Sequence, residues 1–312
     1  MLLSSGVIWR YREFDRFRAE CPLGDEQLQR AVHDRLDDDL RWLESLGAPV
    51  RERDTGNPLT TGLRFETEGL TGALASAAGE IRLNEPLCSL PPGAPVILAT
   101  GGFQGDAALV REHITPEADE LQLRANPWSS GDGLRIGLEA GASLSDGMDE
   151  FYGRNMPAPP AILDRRRFGP LAQLYAHHCT VENNRGERYE ARTWSEIDVA
   201  QWTARQPRAR AWYRVPDDAL GQRVRNRTVA DMIDAARQAG GPVSREGEAT
   251  VVEVVAGITA TIGGLRANAD CQVAEGLFAC GADIGGVSTG GYMSGLAGAL
   301  VLGRVAAASA LE

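Results

Sequence analysis

The chain has 312 residues, 43% of them hydrophobic and 24% charged, which is enough apolar content for one large core or two smaller ones. A formal net charge of −11 argues against nucleic acid or an anionic membrane surface as a main partner. All 32 basic residues are arginine, and the lack of lysine excludes both Schiff-base lysine chemistry and a P-loop lysine.

The five cysteines, Cys21, Cys88, Cys179, Cys271 and Cys280, show neither a C-x-x-C pair nor a zinc spacing, as expected of reduced thiols in a cytoplasmic protein. No apolar stretch is long enough to span a bilayer, and the start Met1-Leu2-Leu3-Ser4-Ser5-Gly6 lacks a basic n-region, so secretion is not expected.

In chain order, Leu28, Val32, Leu36, Leu40 and Leu43 recur at helical spacing and predict an amphipathic helix that ends at Gly47-Ala48-Pro49. Leu70 to Ala78 reads as a second helix. The continuous apolar run Pro95 to Thr100 predicts a strand buried on both faces in a parallel sheet, followed by Gly101-Gly102-Phe103. Gly131-Asp132-Gly133 opens a helix that runs through Ala140 and closes at Gly141. Composition then shifts over residues 151–250, with Pro157-Ala158-Pro159-Pro160, the run Arg165-Arg166-Arg167 and an arginine-rich tract from Arg205 to Arg227. Sheet character returns at Val251-Val252-Glu253-Val254-Val255. The expected organisation is an α/β domain made of residues 1–150 and 251–312, with residues 151–250 inserted as an α+β domain.

Glycine is concentrated near the end: 12 of the 36 glycines fall in positions 257–303, more than twice the density of the whole chain. The buried strand Leu277 to Cys280 feeds this cluster, and a helix of small apolar residues starts at Gly295. A strand, a glycine turn and a helix N-terminus present free N–H groups and a positive dipole end to an anionic or electron-rich ligand.

Four motifs in order carry a resemblance. They are Ala99-Thr100-Gly101-Gly102-Phe103; Gly131-Asp132-Gly133 with Ala140-Gly141-Ala142; Thr261-Ile262-Gly263-Gly264-Leu265; and Gly276 to Gly281 running into the glycine helix. With Ser4-Ser5-Gly6 at the start, the chain resembles the fumarate reductase/succinate dehydrogenase flavoproteins, a group that includes the 3-ketosteroid dehydrogenases. The resemblance implies an FAD-binding Rossmann-like domain, a capping domain, and a small-molecule substrate held between cap and flavin ring, with an electron donor or acceptor that the sequence does not name. It places Ser4, Ser5 and Gly6, and Ala99, Thr100, Gly101 and Gly102, along the FAD. It brings Asp132 and Gly133 towards the flavin, and sets Gly281 and Asp283 at the ribityl chain, where the family more often has Glu at the position of Ala282. It turns the N–H groups of Gly295, Leu296 and Ala297 to the flavin pyrimidine edge.

Two departures from the family pattern stand out. No G-x-G-x-x-G occurs in the 312 residues, although the family holds the FAD pyrophosphate with such a loop in an opening βαβ unit. The expectation is an incomplete FAD domain lacking that first unit, truncated, poorly stable and weak in FAD binding. A cofactor-free remnant serving as a binding or interaction module is the alternative. The dicarboxylate chemistry also departs: Thr259-Ala260 stand where the fumarate reductases have histidine, Tyr292 stands in their substrate-arginine slot, and their proton-donating arginine position falls near Glu196, beyond Gly186-Glu187-Arg188-Tyr189.

Tyr292 and Glu196 are therefore the catalytic candidates, for hydride transfer between flavin N5 and a C–C bond of an enone or steroid-like substrate. A phenol can donate a proton or polarise a carbonyl. Glu196 can act as acid or base if buried, against the plainer expectation of an exposed glutamate. His177 and His178 are expected on a strand with one ring inward, and no metal site is assigned because the pair lacks an acidic or cysteine partner nearby. Tyr152 and Arg154 read as hinge packing, with contact to substrate as the alternative; the tract Arg205 to Arg227 reads as a solvated face, with attraction of an anionic substrate as the alternative; and Cys280 reads as a small buried apolar residue.

Overall fold

Leu28, Val32, Leu36, Leu40 and Leu43 are all buried along one face of the helix Glu26–Ser45, as their spacing predicts. Asp25 caps that helix by accepting the Leu28 N–H at 3.0 Å, and Gly47 ends it with a φ of +83°. The computed structural model describes residues 2–87, 89–192 and 196–312, so Met1 and Cys88 lie outside the described residues. The chain forms two compact units: Met1–Gly102, Gly131–Met148 and Ile262–Glu312 in one, Phe103–Ser130 and Asp149–Thr261 in the other.

In the first unit, the helix Glu26–Ser45 packs against the apolar helix Gly295–Ser309. Asp39, only 2% exposed, faces that partner and pairs with Arg304 at 2.5 Å, while the Arg304 guanidinium lies 4.5 Å from the Trp42 ring centre. Burial raises the Asp39 carboxyl above the usual range against the opposing pull of Arg304. Beside these helices, Thr60–Phe65 forms the middle of a three-stranded antiparallel sheet between Val7–Tyr11 and Val50–Glu52. The second predicted helix is present as Thr67–Ala77, and Glu66 caps it by accepting the N–H groups of Glu68 and Gly69.

A second sheet carries the glycine-rich loops. Leu277–Ala279, buried throughout, lies between antiparallel Gln272–Ala274 and parallel Val96–Leu98, in the register Leu277↔Val96 and Ala279↔Leu98. The parallel pairing expected of the apolar run is there, but its full burial is not. Val96–Leu98 is the edge strand, and only Leu98 is buried while Val96 and Ile97 are half-buried. The helix after Gly131 spans Asp132–Glu139, and Gly141 closes it with a φ of +89°.

The second unit is built on one strand of 13 residues, Ala249–Thr261. Arg210–Pro216 pairs with its first half on one side, and Phe151–Pro157 pairs with its second half on the other, both antiparallel. Thr180–Glu182 extends the sheet beyond Arg210–Pro216, and the helix Ile197–Ala204 packs on Phe151–Pro157. These units differ from the expected division at 150 and 250. The long strand continues to Thr261 without a break, and residues 103–130 join the same unit because Gln122–Leu123 pairs in parallel with Gly257 and Ile258. In this unit the arginine tract is tied into ion pairs: Arg205 with Asp149, Arg210 with Glu120 and Glu253, and Arg214 with Glu182 and Glu246. Among the described residues, no helix is long and apolar enough to cross a membrane.

Candidate functional site

The first cluster forms where the loop after Val96–Leu98 meets the turn Gly281–Asp283. Gly101 and Gly102 take φ values of +99° and +81°, a left-handed backbone that glycine enters without a Cβ clash. That path turns successive amides inward. Asp283, 2% exposed, receives them: Oδ2 accepts the N–H groups of Thr100 and Gly101, Oδ1 accepts that of Gly102 at 3.3 Å, and Oδ1 also accepts the Thr100 hydroxyl at 2.9 Å. The Thr100 hydroxyl oxygen accepts the N–H of Gly133 at 3.0 Å. A Cβ on Gly133 would stand 2.8 Å from both Asp283 Oδ1 and Thr100 Oγ1, so glycine is what allows this helix start to close on the loop. Asp132, next to it, is exposed and pairs with Arg135 at 2.5 Å. Ala99 and Thr100 are exposed residues, although the Thr100 hydroxyl is turned to Asp283 and Gly133.

The same turn packs on the glycine helix, with Gly281 placing a hypothetical Cβ 3.6 Å from Ala299 Cβ. At the start of that helix, the Ser294 hydroxyl accepts the Ala297 N–H at 3.3 Å. The N–H groups of Gly295 and Leu296 have no acceptor among the described residues, as first-turn amides lack one within the helix itself. A Cβ on Gly295 would meet nothing within 4 Å, and Gly295 itself is exposed. Three residues earlier, the backbone of Tyr292 is held by the Tyr11 hydroxyl, which donates to its carbonyl at 2.7 Å, and its ring meets Trp9 edge-on at 5.7 Å. Ser4, Ser5 and Gly6 lie at the edge of the antiparallel sheet, where the Gly6 carbonyl accepts the Phe65 N–H at 2.9 Å and the Ser4 hydroxyl accepts the Gly6 N–H at 3.2 Å.

A second cluster lies in the other unit, around Glu196. Glu196 is 7% exposed, which overturns the plainer expectation of an exposed glutamate. Its backbone is left-handed at φ 57° and ψ 24°, immediately before the helix Ile197–Ala204. Its Oε1 accepts the main-chain N–H of His177 at 3.3 Å and stands 4.0 Å from the His177 ring. Burial raises its carboxyl above the usual range, and His177 and Arg154 pull the other way. Arg154 is 6% exposed on the strand Phe151–Pro157, with its guanidinium 5.0 Å from the Tyr152 ring centre, so it is an interior cation of this unit packed on that ring. Tyr175, Tyr213 and the Cys179 thiol complete the surroundings, all pushed well up by burial. Asn155 ties the layer together by donating to Thr203 Oγ1 at 2.8 Å and to the Tyr213 hydroxyl at 3.0 Å.

Two sequence expectations are corrected here. His177 and His178 sit in the short turn Ala176–His178, not on a strand, so they do not alternate across a sheet. His177 also has an acidic neighbour, Glu196, which 19 positions of sequence conceal. Among the described residues, no group of three or more His, Cys, Asp or Glu side chains is arranged to hold a metal ion. Cys280 is half-buried rather than buried, and burial raises its thiol to about 11; Cys21, Cys179, Cys271 and Cys280 are all free thiols. Near Glu196 in sequence, Tyr189, Arg192, Asp198 and Trp202 line part of a cavity of about 410 Å³. There the Tyr189 hydroxyl donates to Asp198 at 2.7 Å.

A family model described as FAD binding domain matches residues 90–297, two thirds of the chain. The chain belongs to this FAD-binding family. Its cofactor is FAD, and the chain is a flavoprotein of the oxidoreductase type. No curated protein matches it. Among solved structures, the fold is similar to the open conformation of a flavocytochrome c3 fumarate reductase, with a TM-score of 0.65 and 20% identity over 96% of this chain and 67% of that one. It is also similar to the 3-ketosteroid-delta4-(5alpha)-dehydrogenase of Rhodococcus jostii RHA1, with a TM-score of 0.68 and 16% identity over 100% of this chain and 89% of that one. The 3-ketosteroid delta1-dehydrogenase of Sterolibacterium denitrificans gives a TM-score of 0.67 and 15% identity, covering 99% and 92%.

The donor set at the start of Gly295–Ser309 fits a flavin. Reduced flavin carries negative charge near N1 and O2, and a helix N-terminus with two amides lacking an acceptor complements it. All the residues expected along the FAD fall in the first unit, with Tyr292, while Glu196 falls in the second.

Proposed function

We propose that this flavoprotein acts on a C–C bond of a small enone or steroid-like substrate. The observation that carries the reading is the N-terminus of Gly295–Ser309, where the N–H groups of Gly295 and Leu296 have no acceptor among the described residues. FAD, when bound, supplies hydride transfer at its N5. In this reading the N–H groups of Gly295 and Leu296 hold the pyrimidine edge beside Ala297, whose own N–H is taken by Ser294, and Asp132 approaches the ring. Ala99 and the Thr100 to Gly102 loop, with Gly133, Gly281 and Asp283, shape the wall beside the ribityl chain, and Ser4, Ser5 and Gly6 line the remaining side. The hydrogen bonds of Asp283 favour a specific version of its role: it holds the Thr100 loop in shape, and the loop rather than the carboxylate meets the cofactor.

Tyr292 and Glu196 supply the proton chemistry. The phenol of Tyr292 is proposed to donate to, or polarise, the substrate carbonyl, while Trp9 and Tyr11 keep its ring and backbone in place. Glu196 is proposed to exchange a proton in the reaction, since burial favours its uncharged form relative to an exposed glutamate. A tyrosine in place of a charged anchor favours a neutral ketone over a dicarboxylate.

The test is to load the chain with FAD and follow flavin bleaching or reoxidation with cyclic enones, 3-ketosteroids and C4 dicarboxylates in parallel. Turnover of enones or ketosteroids without dicarboxylate turnover is expected. Dicarboxylate turnover alone would sink the substrate assignment, and a chain that takes up no flavin at any concentration would favour the cofactor-free binding module.

A further inference from the structure

Glu196 combines burial with a route to solvent. Its side chain is 8% exposed, yet the His177 ring 4.0 Å away is 38% exposed. The carboxylate is fixed to this neighbour, because the same Oε1 accepts the His177 main-chain N–H at 3.3 Å. The backbone at Glu196 is left-handed, which is uncommon for a side chain of this size, immediately before the helix Ile197–Ala204.

The other groups around this carboxylate hold their protons firmly. Arg154, from the strand Phe151–Pro157, stays charged. Tyr175 and Cys179, from the segment around the Ala176–His178 turn, and Tyr213, from the strand Arg210–Pro216, are held protonated by burial. Tyr189 is held protonated too, by burial and by its hydrogen bond to Asp198. The His177 ring, by contrast, is an imidazole 38% exposed and 4.0 Å from Oε1, a side-chain type suited to taking up and releasing protons.

We propose that His177 is the proton port of Glu196, passing protons between solvent and the buried carboxyl group. This rests on the reading of Glu196 as an acid of the reaction. A small rotation of the half-exposed ring brings Nε2 to hydrogen-bond distance of Oε1. The imidazolium N–H bond then breaks as the carboxyl O–H bond forms, leaving a neutral ring that takes its next proton from water. No electrons are transferred and no co-reactant is needed. His177 is a positioning and relay residue here, since it acts through Glu196.

The experiment has one arm that needs no flavin. Glutamate labelled with 13C at the side-chain carboxyl is titrated by NMR, and the Glu196 signal is assigned as the one lost in Glu196→Gln. His177→Gln is expected to move the Glu196 midpoint upward, because a neighbouring positive charge is removed, while His178→Gln leaves it in place. An unmoved midpoint in His177→Gln overturns the proposal. The second arm uses the FAD-loaded chain with an enone: His177→Ala is expected to lose tenfold or more in turnover and to regain most of it with imidazole in the buffer. A loss that imidazole does not relieve overturns the relay. Full turnover in Glu196→Gln defeats the acid role of Glu196 instead, and the NMR arm still decides whether His177 governs its proton.

Discussion

Asp283 and Thr100 are joined twice, with Oδ1 accepting the threonine hydroxyl at 2.9 Å and Oδ2 accepting its amide, across 183 positions of sequence. This pair links the strand Val96–Leu98 to the strand Leu277–Ala279 beyond their register, and it closes the glycine loop on a buried carboxylate. Asp283→Ala leaves inward-facing amides without an acceptor, at a cost of about 3 kcal/mol in unfolding free energy. Urea denaturation reads this directly. FAD affinity is expected to fall as well, and a variant with wild-type stability would show that the loop holds its shape without the carboxylate.

Gly295→Ala separates cofactor binding from folding. The added Cβ meets no atom of the protein, and alanine suits the first turn of a helix, so stability should stay level or rise by up to about 1 kcal/mol. The same methyl enters the space assigned to the flavin edge. A clear loss of FAD affinity by fluorescence titration, with an unchanged melting temperature, is the expected result. Equal affinity in the two proteins would move the flavin away from this helix.

Tyr292→Phe keeps the ring against Trp9 and leaves the backbone bond from Tyr11 intact. Only the hydroxyl is lost, so a structural role predicts little change in turnover. A proton-donating role predicts a fall of about 100-fold or more in kcat with KM little altered. Steady-state kinetics with an enone substrate distinguish the two.

The pH dependence of stability reports on Glu196. Burial raises its carboxyl in the folded chain above the ordinary value of 4.5. The folded state therefore holds this proton over a pH range in which the unfolded state has released it. Stability from this site is fully present below the ordinary value and is lost as pH rises through the raised one. Glu196→Gln removes that proton, and urea midpoints measured from about pH 4 to about pH 8 should decline less for the variant than for the parent chain. Parallel declines would mean that the carboxylate is solvated.

Much of this protein is determined by its sequence alone. A 3.6-residue period places Leu28, Val32, Leu36, Leu40 and Leu43 on one face, and a helix must bury that face. Glycines between an apolar strand and an apolar helix announce a loop whose amides are exposed for binding, and the order of such loops was enough to indicate the FAD-binding family. These are local signals, each within a few turns of chain. What only the tertiary structure decided lies between residues far apart in sequence: that Asp283 is consumed by the Thr100 loop, that Arg154 is interior, and that Glu196 is buried beside His177. No spacing rule foretells these contacts, because the environment of a charged side chain is set by the elements that close over it. The strand Ala249–Thr261 makes the same point, since its neighbours on both sides come from distant segments and draw residues 103–130 into the second unit.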